Sequence, residues 1–130
     1  MSTAIGIDLA SVDAVAASIA AHAERYLTRI YTPDELAACR DGHGVPVAER
    51  LAARFAAKEA LLKILRSGDE PIPWRAISVR TNRFGAPSFE LSGAAQAAAR
   101  RRGLRSLALS LTHEGPLAAA VVSADVQEGH

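Results

Sequence analysis

Residues 54–63 read RFAAKEALLK, and this stretch is the most informative segment of the chain. It is rich in helix-forming residues and contains no glycine or proline. In a helix, Arg54 and Lys58 lie one turn apart, and so do Glu59 and Lys63. One carboxylate among three cations suits a metal-bound polyphosphate, because the acid holds a hard cation and the bases neutralise phosphate. The alternative is a solvated helix with ordinary ion pairs.

The composition predicts one globular domain that spans residues 1–130. Hydrophobic residues make up 49% of the chain and charged residues 22%, which argues against wholesale disorder. Only 5% of the residues are aromatic, so the core is expected to consist of Leu, Ile, Val and Ala. The net charge of +1 argues weakly against a general polyanion binder.

Cysteine content and the start of the chain restrict the class of protein further. The single cysteine, Cys39, excludes an intrachain disulfide and a metal site built from several cysteines. The first basic residue is Arg25, so no basic segment precedes an apolar one as in a secretory signal. No segment is long and apolar enough to span a membrane, and the expectation is a soluble cytoplasmic protein.

Turn and cap signals divide the chain into helices and strands. Ser11 or Asp13 can cap a helix that runs to about residue 23. Thr32 followed by Pro33 and Glu35 has the pattern of a capping box that opens a second helix ending near residue 40. The long helix is expected to start at residue 46 or 47 and to end at residue 65, and an alanine-rich helix covers 92–102, before a glycine.

Alternating apolar residues predict the strands. They are expected at residues 4–9, 76–81, 88–91, 104–112 and 117–126. Loops are expected at 41–44 and 67–73, and turns at 82–87 and 113–116. The pattern predicts an α+β fold with a mainly antiparallel sheet packed around the long helix.

Three polar elements stand out against apolar surroundings: Asp8 at the end of a strand, the pair Lys58 and Glu59, and His113 after the strand 104–112. Two carboxylates distant in sequence can share one Mg²⁺ ion, which keeps some waters and takes its other oxygens from substrate phosphates. Cations beside that ion would stabilise charge on a bridging phosphate oxygen. These residues predict phosphoryl-type transfer at a pyrophosphate. Each element also has a simpler explanation: Asp8 caps or turns the chain, Lys58 and Glu59 form surface ion pairs, and His113 is an ordinary turn residue.

Two other segments could contact nucleotides. The tripeptide from Gly85 to Pro87 reads first as a hairpin turn, although a glycine there would also let a flat base approach the backbone. The run Arg100–Arg102 has no aromatic residues interspersed, which argues against nucleic-acid binding. A helix end, where the helix dipole favours positive side chains, explains the run better.

Four motifs together resemble a known family. They are residues 6–9 (GIDL), residues 54–60 (RFAAKEA), residues 85–87 (GAP), and residues 110–113 (SLTH) followed by residues 118–122 (AAAVV). Their order and spacing are similar to those of holo-acyl-carrier-protein synthase, the short bacterial class of 4′-phosphopantetheinyl transferases. The resemblance covers nearly the whole chain.

The resemblance implies transfer of 4′-phosphopantetheine from coenzyme A to a serine of an apo acyl carrier protein, with release of 3′,5′-ADP. It implies that Asp8 and Glu59 bind Mg²⁺ at the coenzyme A pyrophosphate and that Lys58 contacts phosphate. Either Glu59 or a metal-bound water would deprotonate the serine. A homotrimer with its sites at subunit interfaces is also implied, in which the metal side and the His113 side come from different chains.

The resemblance further implies which residues bind the rest of coenzyme A. The nucleotide phosphates would be surrounded by Arg54, Lys63, Thr112 and His113. The adenine would lie near Gly85, Ala86 and Pro87.

Several positions depart from the family pattern. Ser11 stands where relatives often have Glu, and Ala14 where an Arg helps to dock the acidic carrier protein. Arg25 and Arg29 are then the expected source of positive charge for docking. Leu62 replaces a frequent Ser, and residues 66–68 read RSG in place of Gly-Thr-Gly, near the expected coenzyme A pocket.

Three alternatives to a standard transferase remain open at this stage. The chain could be a divergent family member with another carrier or substrate, or a trimeric module that binds coenzyme A without catalysis. A nucleic-acid binder is the third, and no membrane partner is expected. The residues do not distinguish fatty-acid from polyketide synthesis as the pathway.

Overall fold

The structure is a computed structural model that describes residues 2–65, 68 and 70–127. Its five helices are α1 (Val12–His22), α2 (Glu24–Ile30), α3 (Pro33–Ala38), α4 (Ala48–Leu65) and α5 (Gly93–Arg102). Its five strands are β1 (Ser2–Ser11), β2 (Ile77–Thr81), β3 (Pro87–Leu91), β4 (Leu104–Glu114) and β5 (Leu117–Val126). A single 3₁₀ turn, Trp74–Ala76, precedes β2. Residues 66, 67 and 69 lie outside the described residues. They include Arg66, where the sequence departs from the family pattern, and part of the predicted loop at 67–73.

The helix α4 packs across a three-stranded antiparallel sheet in the order β1-β5-β4. One face of β5 is buried against it through small side chains: Ala118, Ala120, Val122 and Ala124. Because side chains alternate along a strand, the other face of the sheet points away from α4. This arrangement leaves β1 at one edge of the sheet, beside α4.

The second sheet is the β2–β3 hairpin, which lies on the far side of α4 from β1 together with α3. The core is made of aliphatic and alanine side chains on both sides of α4, with few aromatic rings, as the composition predicted. The α+β prediction is therefore confirmed, with two antiparallel sheets around a long helix.

The helix caps agree with the sequence signals. The Ser11 hydroxyl accepts the N–H of Ala14 at 3.0 Å, which makes Ser11 rather than Asp13 the cap of α1. Thr32 and Glu35 form the predicted capping box of α3. The helix α5 ends at Gly103, which has φ of 72°.

Several boundaries differ from the sequence prediction. The strand β1 runs from Ser2 to Ser11, so Asp8 lies inside the strand and not at its end. The helix α2 was not predicted, because the break at Ala23, whose φ is 47°, carries no glycine or proline. The β4 strand continues to Glu114, so His113 lies in a strand and not in the turn that was predicted to contain it. Within the described residues, no helix is long and apolar enough to cross a bilayer.

Candidate active site

A close approach between β1 and α4 positions the site. Gly6 faces the backbone of α4, and a Cβ atom on it would lie 2.3 Å from the carbonyl oxygen of Ala60. Only glycine lets the two backbones come this near. The contact places Asp8, two residues further along the same face of β1, beside the second half of α4.

Asp8, Glu59 and Lys63 meet at this contact. The Lys63 ammonium donates to a carboxylate oxygen of Asp8 at 2.9 Å and to the carbonyl oxygen of Ile7 at 2.8 Å. The Asp8 side chain is 21% exposed, and the Lys63 side chain is 55% exposed. The three groups therefore line a surface that a substrate can reach from solvent.

The charge of this cluster is unbalanced. Burial raises the pKa of Glu59, the negative charge of Asp8 raises it further, and Lys63 opposes both effects. Two carboxylates thus face a shared space with one ammonium group, and an additional cation would stabilise both.

The donor set fits Mg²⁺. Among residues 2–65, 68 and 70–127, no group of three or more His, Cys, Asp or Glu side chains is suited to a metal. Two carboxylates are too few for a closed protein site such as those of zinc. Mg²⁺, by contrast, is commonly held by one or two carboxylates, with waters and substrate phosphates as its other ligands.

Lys58 does not belong to this cluster, and the prediction that it contacts phosphate is wrong for this structure. Its side chain has no exposed surface, and its ammonium lies 2.6 Å from a carboxylate oxygen of Glu35 in the interior. Adjacent residues of an α-helix point about 100° apart, so Lys58 and Glu59 face different sides of α4. Burial lowers the pKa of Lys58, and Glu35 opposes that effect.

Arg54 lies one turn before Lys58 and is only 7% exposed. One of its terminal nitrogens donates to the carbonyl oxygen of Arg50 at 3.4 Å. Its Nε is buried without a hydrogen-bond partner among the described residues. A buried donor left unmatched is costly, so this guanidinium still has capacity for an anion. Its contact with a nucleotide phosphate stays a prediction.

The structure does not bring His113 to Asp8 within one chain. His113 pairs with Ala118 of β5, which in turn pairs with Ala10 of β1. Because β5 separates β4 from β1, the two outer strands are about 10 Å apart. Thr112 precedes His113 and therefore points to the opposite face of the sheet.

Gly85 and Pro87 lie at the exposed end of the β2–β3 hairpin. Gly85 has φ of 81°, a conformation that favours glycine. The Asn82 side chain accepts the N–H groups of Phe84 and Ala86, at 2.9 and 3.0 Å, and so holds the turn. The hairpin interpretation is confirmed, whereas contact with adenine stays a prediction.

Two neighbouring grooves share Tyr26, and the first of them begins where β1 ends. The first, which we call the apolar groove, has a volume of about 340 Å³ and is lined by Leu9, Ala10, Ser11, Ala14, Val15, Ser18, Tyr26 and Phe55. The second, the cationic groove, has about 330 Å³ and is lined by His22, Arg25, Tyr26 and Arg29. The structure thus brings the predicted docking residues Arg25 and Arg29 together, and it places Ser11 and Ala14 in the neighbouring groove.

Tyr26 belongs to both grooves, and sequence reasoning missed it. Its hydroxyl lies 2.9 Å from that of Tyr31, which donates to the carbonyl oxygen of Leu51 at 3.2 Å. This chain of hydrogen bonds ties α2 to α4. An unpredicted helix carries Tyr26, so no signal in the sequence separated it from an ordinary surface tyrosine.

Comparisons with known proteins agree with this geometry. A family model described as the 4′-phosphopantetheinyl transferase superfamily matches residues 4–122. The holo-[acyl-carrier-protein] synthase of Solibacter usitatus is 39% identical over 118 residues, which cover 90% of this chain and 93% of that protein.

Solved structures give the same result. Helicobacter pylori holo-[acyl-carrier-protein] synthase in complex with coenzyme A has a TM-score of 0.80 and 27% identity, covering 94% of this chain and 100% of that chain. The ACPS–CoA complex of Chronobacterium ammoniagenes has a TM-score of 0.84 and 26% identity, covering 98% of this chain and 100% of that chain.

Proposed function

Because the chain belongs to the 4′-phosphopantetheinyl transferase superfamily and is similar over most of its length to holo-[acyl-carrier-protein] synthases, we propose that it transfers 4′-phosphopantetheine from coenzyme A to a serine of an apo acyl carrier protein. The observation that carries this proposal is the convergence of Asp8, Glu59 and Lys63 at the contact between β1 and α4. That cluster has the charge and the exposure that a metal-bound pyrophosphate requires.

The reaction exchanges one phosphorus–oxygen bond for another. The serine Oγ forms a bond to the phosphorus that carries pantetheine, and the bond from that phosphorus to the bridging oxygen breaks. The serine proton passes to a base, for which Glu59 and a water at the metal site are the two candidates. The bridging oxygen leaves on 3′,5′-ADP. Asp8 and Glu59 would hold Mg²⁺, which would neutralise charge on the pyrophosphate oxygens. Lys63 would orient Asp8 and add positive charge beside the leaving phosphate.

A transfer assay tests this function. Apo acyl carrier protein is incubated with the chain, coenzyme A and Mg²⁺, and its mass is measured. We expect the mass to increase by one phosphopantetheine group and 3′,5′-ADP to appear in equal amount. Binding of coenzyme A without a mass increase on any carrier would instead support a non-catalytic module.

Docking of the carrier protein is proposed for the cationic groove. Arg25 and Arg29 would attract an acidic carrier. The part of the carrier that lies nearer to Asp8 would contact the apolar groove. Ala14 supplies no charge at the position where relatives often have an arginine, so these two arginines of α2 become more important.

Reversing the docking charges should weaken recognition of the carrier. We expect Arg25→Glu with Arg29→Glu to raise the KM for the carrier about tenfold, with little change in kcat or in the KM for coenzyme A. The effect should shrink at high salt. Arg100→Glu, on the exposed surface of α5, is the matched control. An unchanged carrier KM in the double variant would place the docking surface elsewhere.

We propose that three chains assemble into a homotrimer through the face of the sheet that points away from α4. This outer face exposes a group of large apolar side chains: Ile5, Ile7, Leu9, Leu117 and Val121. Contiguous apolar surfaces of this kind are typical of protein–protein contacts. In such an assembly, the end of β4 that carries Thr112 and His113 would come from a neighbouring chain and lie close to Asp8.

A charge in the middle of the outer face should prevent assembly. We expect Val121→Glu to convert the trimer to monomers at micromolar concentration, because an unpaired carboxylate would be buried in the contact. Analytical ultracentrifugation measures the state, and Gln96→Glu on α5 is the control. A variant that still sedimented as a trimer would exclude this face as the contact.

A further inference from the structure

The ammonium group of Lys58 is the centre of a buried polar network on a different side of α4 from the site. It lies within hydrogen-bond distance of Glu35 Oε1 at 2.6 Å, of the Ile77 carbonyl oxygen at 2.7 Å, and of the Ile30 carbonyl oxygen at 2.8 Å. The Trp74 carbonyl oxygen follows at 3.2 Å. Three N–H donors thus serve four acceptors, and the group has no capacity left for a ligand.

Glu35 is held as firmly as its partner. Its Oε1 accepts the N–H of Thr32 at 2.9 Å, and its Oε2 accepts the N–H of Val79 at 2.8 Å. Both side chains of the pair are fully buried. The pair therefore links α4 to α2, α3, the 3₁₀ turn and β2 at one point.

Apolar packing alone defines the rotation of α4 poorly. Five of its buried positions are alanines, and at about 100° per residue they share one side of the helix: Ala52, Ala53, Ala56, Ala57 and Ala60. Methyl side chains form only shallow ridges, so this side of α4 can turn slightly with little change in buried area. A buried ion pair does not allow this, because any rotation would separate two charges in the interior, where an unpaired charge is strongly unfavourable.

We propose that Lys58 is a positioning residue of the transfer site, a role that rests on the proposed function: its anchored ammonium fixes the rotation of α4 that turns Glu59 and Lys63 toward Asp8. Glu59 follows Lys58 directly, about 100° around the helix. Lys63 lies one turn after Glu59. The contacts that fix the rotation of α4 at Lys58 therefore also determine the directions in which Glu59 and Lys63 point.

The test removes both charges together. Lys58→Met alone leaves the Glu35 carboxylate buried and unpaired, and we expect the midpoint of thermal unfolding to fall by roughly 10 °C or more. In Lys58→Met with Glu35→Gln, neither charge of the pair is buried, and the amide oxygen keeps one of the two backbone N–H groups that Glu35 accepts, while the other loses its acceptor. We expect this double variant to recover part of the lost stability.

The double variant should nevertheless position the site poorly. We expect its kcat to be about tenfold lower than wild type, and we expect Mg²⁺ to increase its coenzyme A affinity, measured by calorimetry, less than in wild type. A readout without ligands is the near-ultraviolet circular dichroism of Trp74, the only tryptophan, whose ring lies 5.1 Å from that of Phe55 on α4. This band should change in the double variant.

Ser78→Ala is the matched control. The Ser78 hydroxyl lies 2.8 Å from that of Thr32 in the same buried region, and this hydrogen bond joins β2 to the cap of α3 and not to α4. We expect this variant to lose stability while it keeps kcat, the Mg²⁺ effect on coenzyme A affinity and the Trp74 band.

Glu35→Asp keeps the charge but shortens the reach to Lys58, and it covers the case in which the double variant fails to fold. It should fold and show the same losses in kcat and in the Mg²⁺ effect. The wild type is assayed in parallel and must be active. If a folded Glu35→Asp variant or the double variant then had a normal kcat and a normal Mg²⁺ effect, Lys58 would only stabilise the fold. A wild-type chain that neither bound coenzyme A nor modified a carrier would overturn the transfer function itself, and this role with it.

Discussion

Replacing Glu59 with glutamine is expected to lower kcat for phosphopantetheine transfer by about 100-fold or more, because the substitution removes one of two carboxylates that would hold Mg²⁺. Asp8→Asn should have an effect of the same size. The loss should appear in kcat and in the Mg²⁺ concentration required for half-maximal rate. Steady-state assays with saturating coenzyme A and carrier protein, titrated with Mg²⁺, measure both quantities.

The folding of the Glu59→Gln variant separates lost chemistry from lost structure. Burial and Asp8 both raise the pKa of Glu59, so the ionised carboxylate opposes folding in the metal-free protein once the pH exceeds the ordinary glutamate range. Removing that carboxylate should leave stability at neutral pH unchanged or slightly higher. Near-normal turnover of the variant at limiting Mg²⁺ would contradict the metal assignment. Glu49→Gln, in the first turn of α4, is the control.

Replacing Gly6 with alanine is expected to disrupt both the fold and the site. The new methyl group would lie 2.3 Å from the Ala60 carbonyl oxygen, and backbone cannot move aside as a flexible side chain can. Because β1 must shift away from α4, we expect the free energy of unfolding to fall by ~3 kcal/mol. The same shift would separate Asp8 from Glu59 and Lys63, so transfer activity should fall even under conditions where the variant is folded.

Chemical denaturation and the transfer assay together check this expectation. Gly42→Ala is the matched control, because no atom lies within 4 Å of the position its Cβ would occupy. At such a site the substitution should leave stability unchanged or raise it by about 0.4–1 kcal/mol, through a less flexible unfolded chain. A Gly6→Ala variant as stable as wild type would mean that β1 and α4 can separate without loss of packing.

Local signals explain why most of the fold could be predicted. The capping box at Thr32 and Glu35, the glycine after α5 and the alternation in β5 all depend on neighbours within a few residues. The α1–α2 break could not be predicted, since Ala23 adopts a positive φ that its residue type does not favour.

Glu35 shows the same limit of prediction from sequence. The capping box predicted one partner for its carboxylate, the N–H of Thr32, and that partner is present. Its second and third partners, Lys58 and Val79, lie 23 and 44 residues further along the chain. Distant partners leave no local pattern, so the role of Glu35 in the interior was not visible in the sequence.

From the sequence, residues 54–63 form a helix that carries one acid among three bases, and Asp8 belongs to a strand that could meet this helix. The different roles of Lys58 and Glu59, adjacent in sequence, follow from tertiary contacts that have no local pattern. Lys58 is enclosed by Glu35 and three carbonyl oxygens, whereas Glu59 faces Asp8. The side of α4 that carries its buried alanines specifies the rotation of the helix only weakly, and the partners of Lys58, distant in the chain, specify it more strictly.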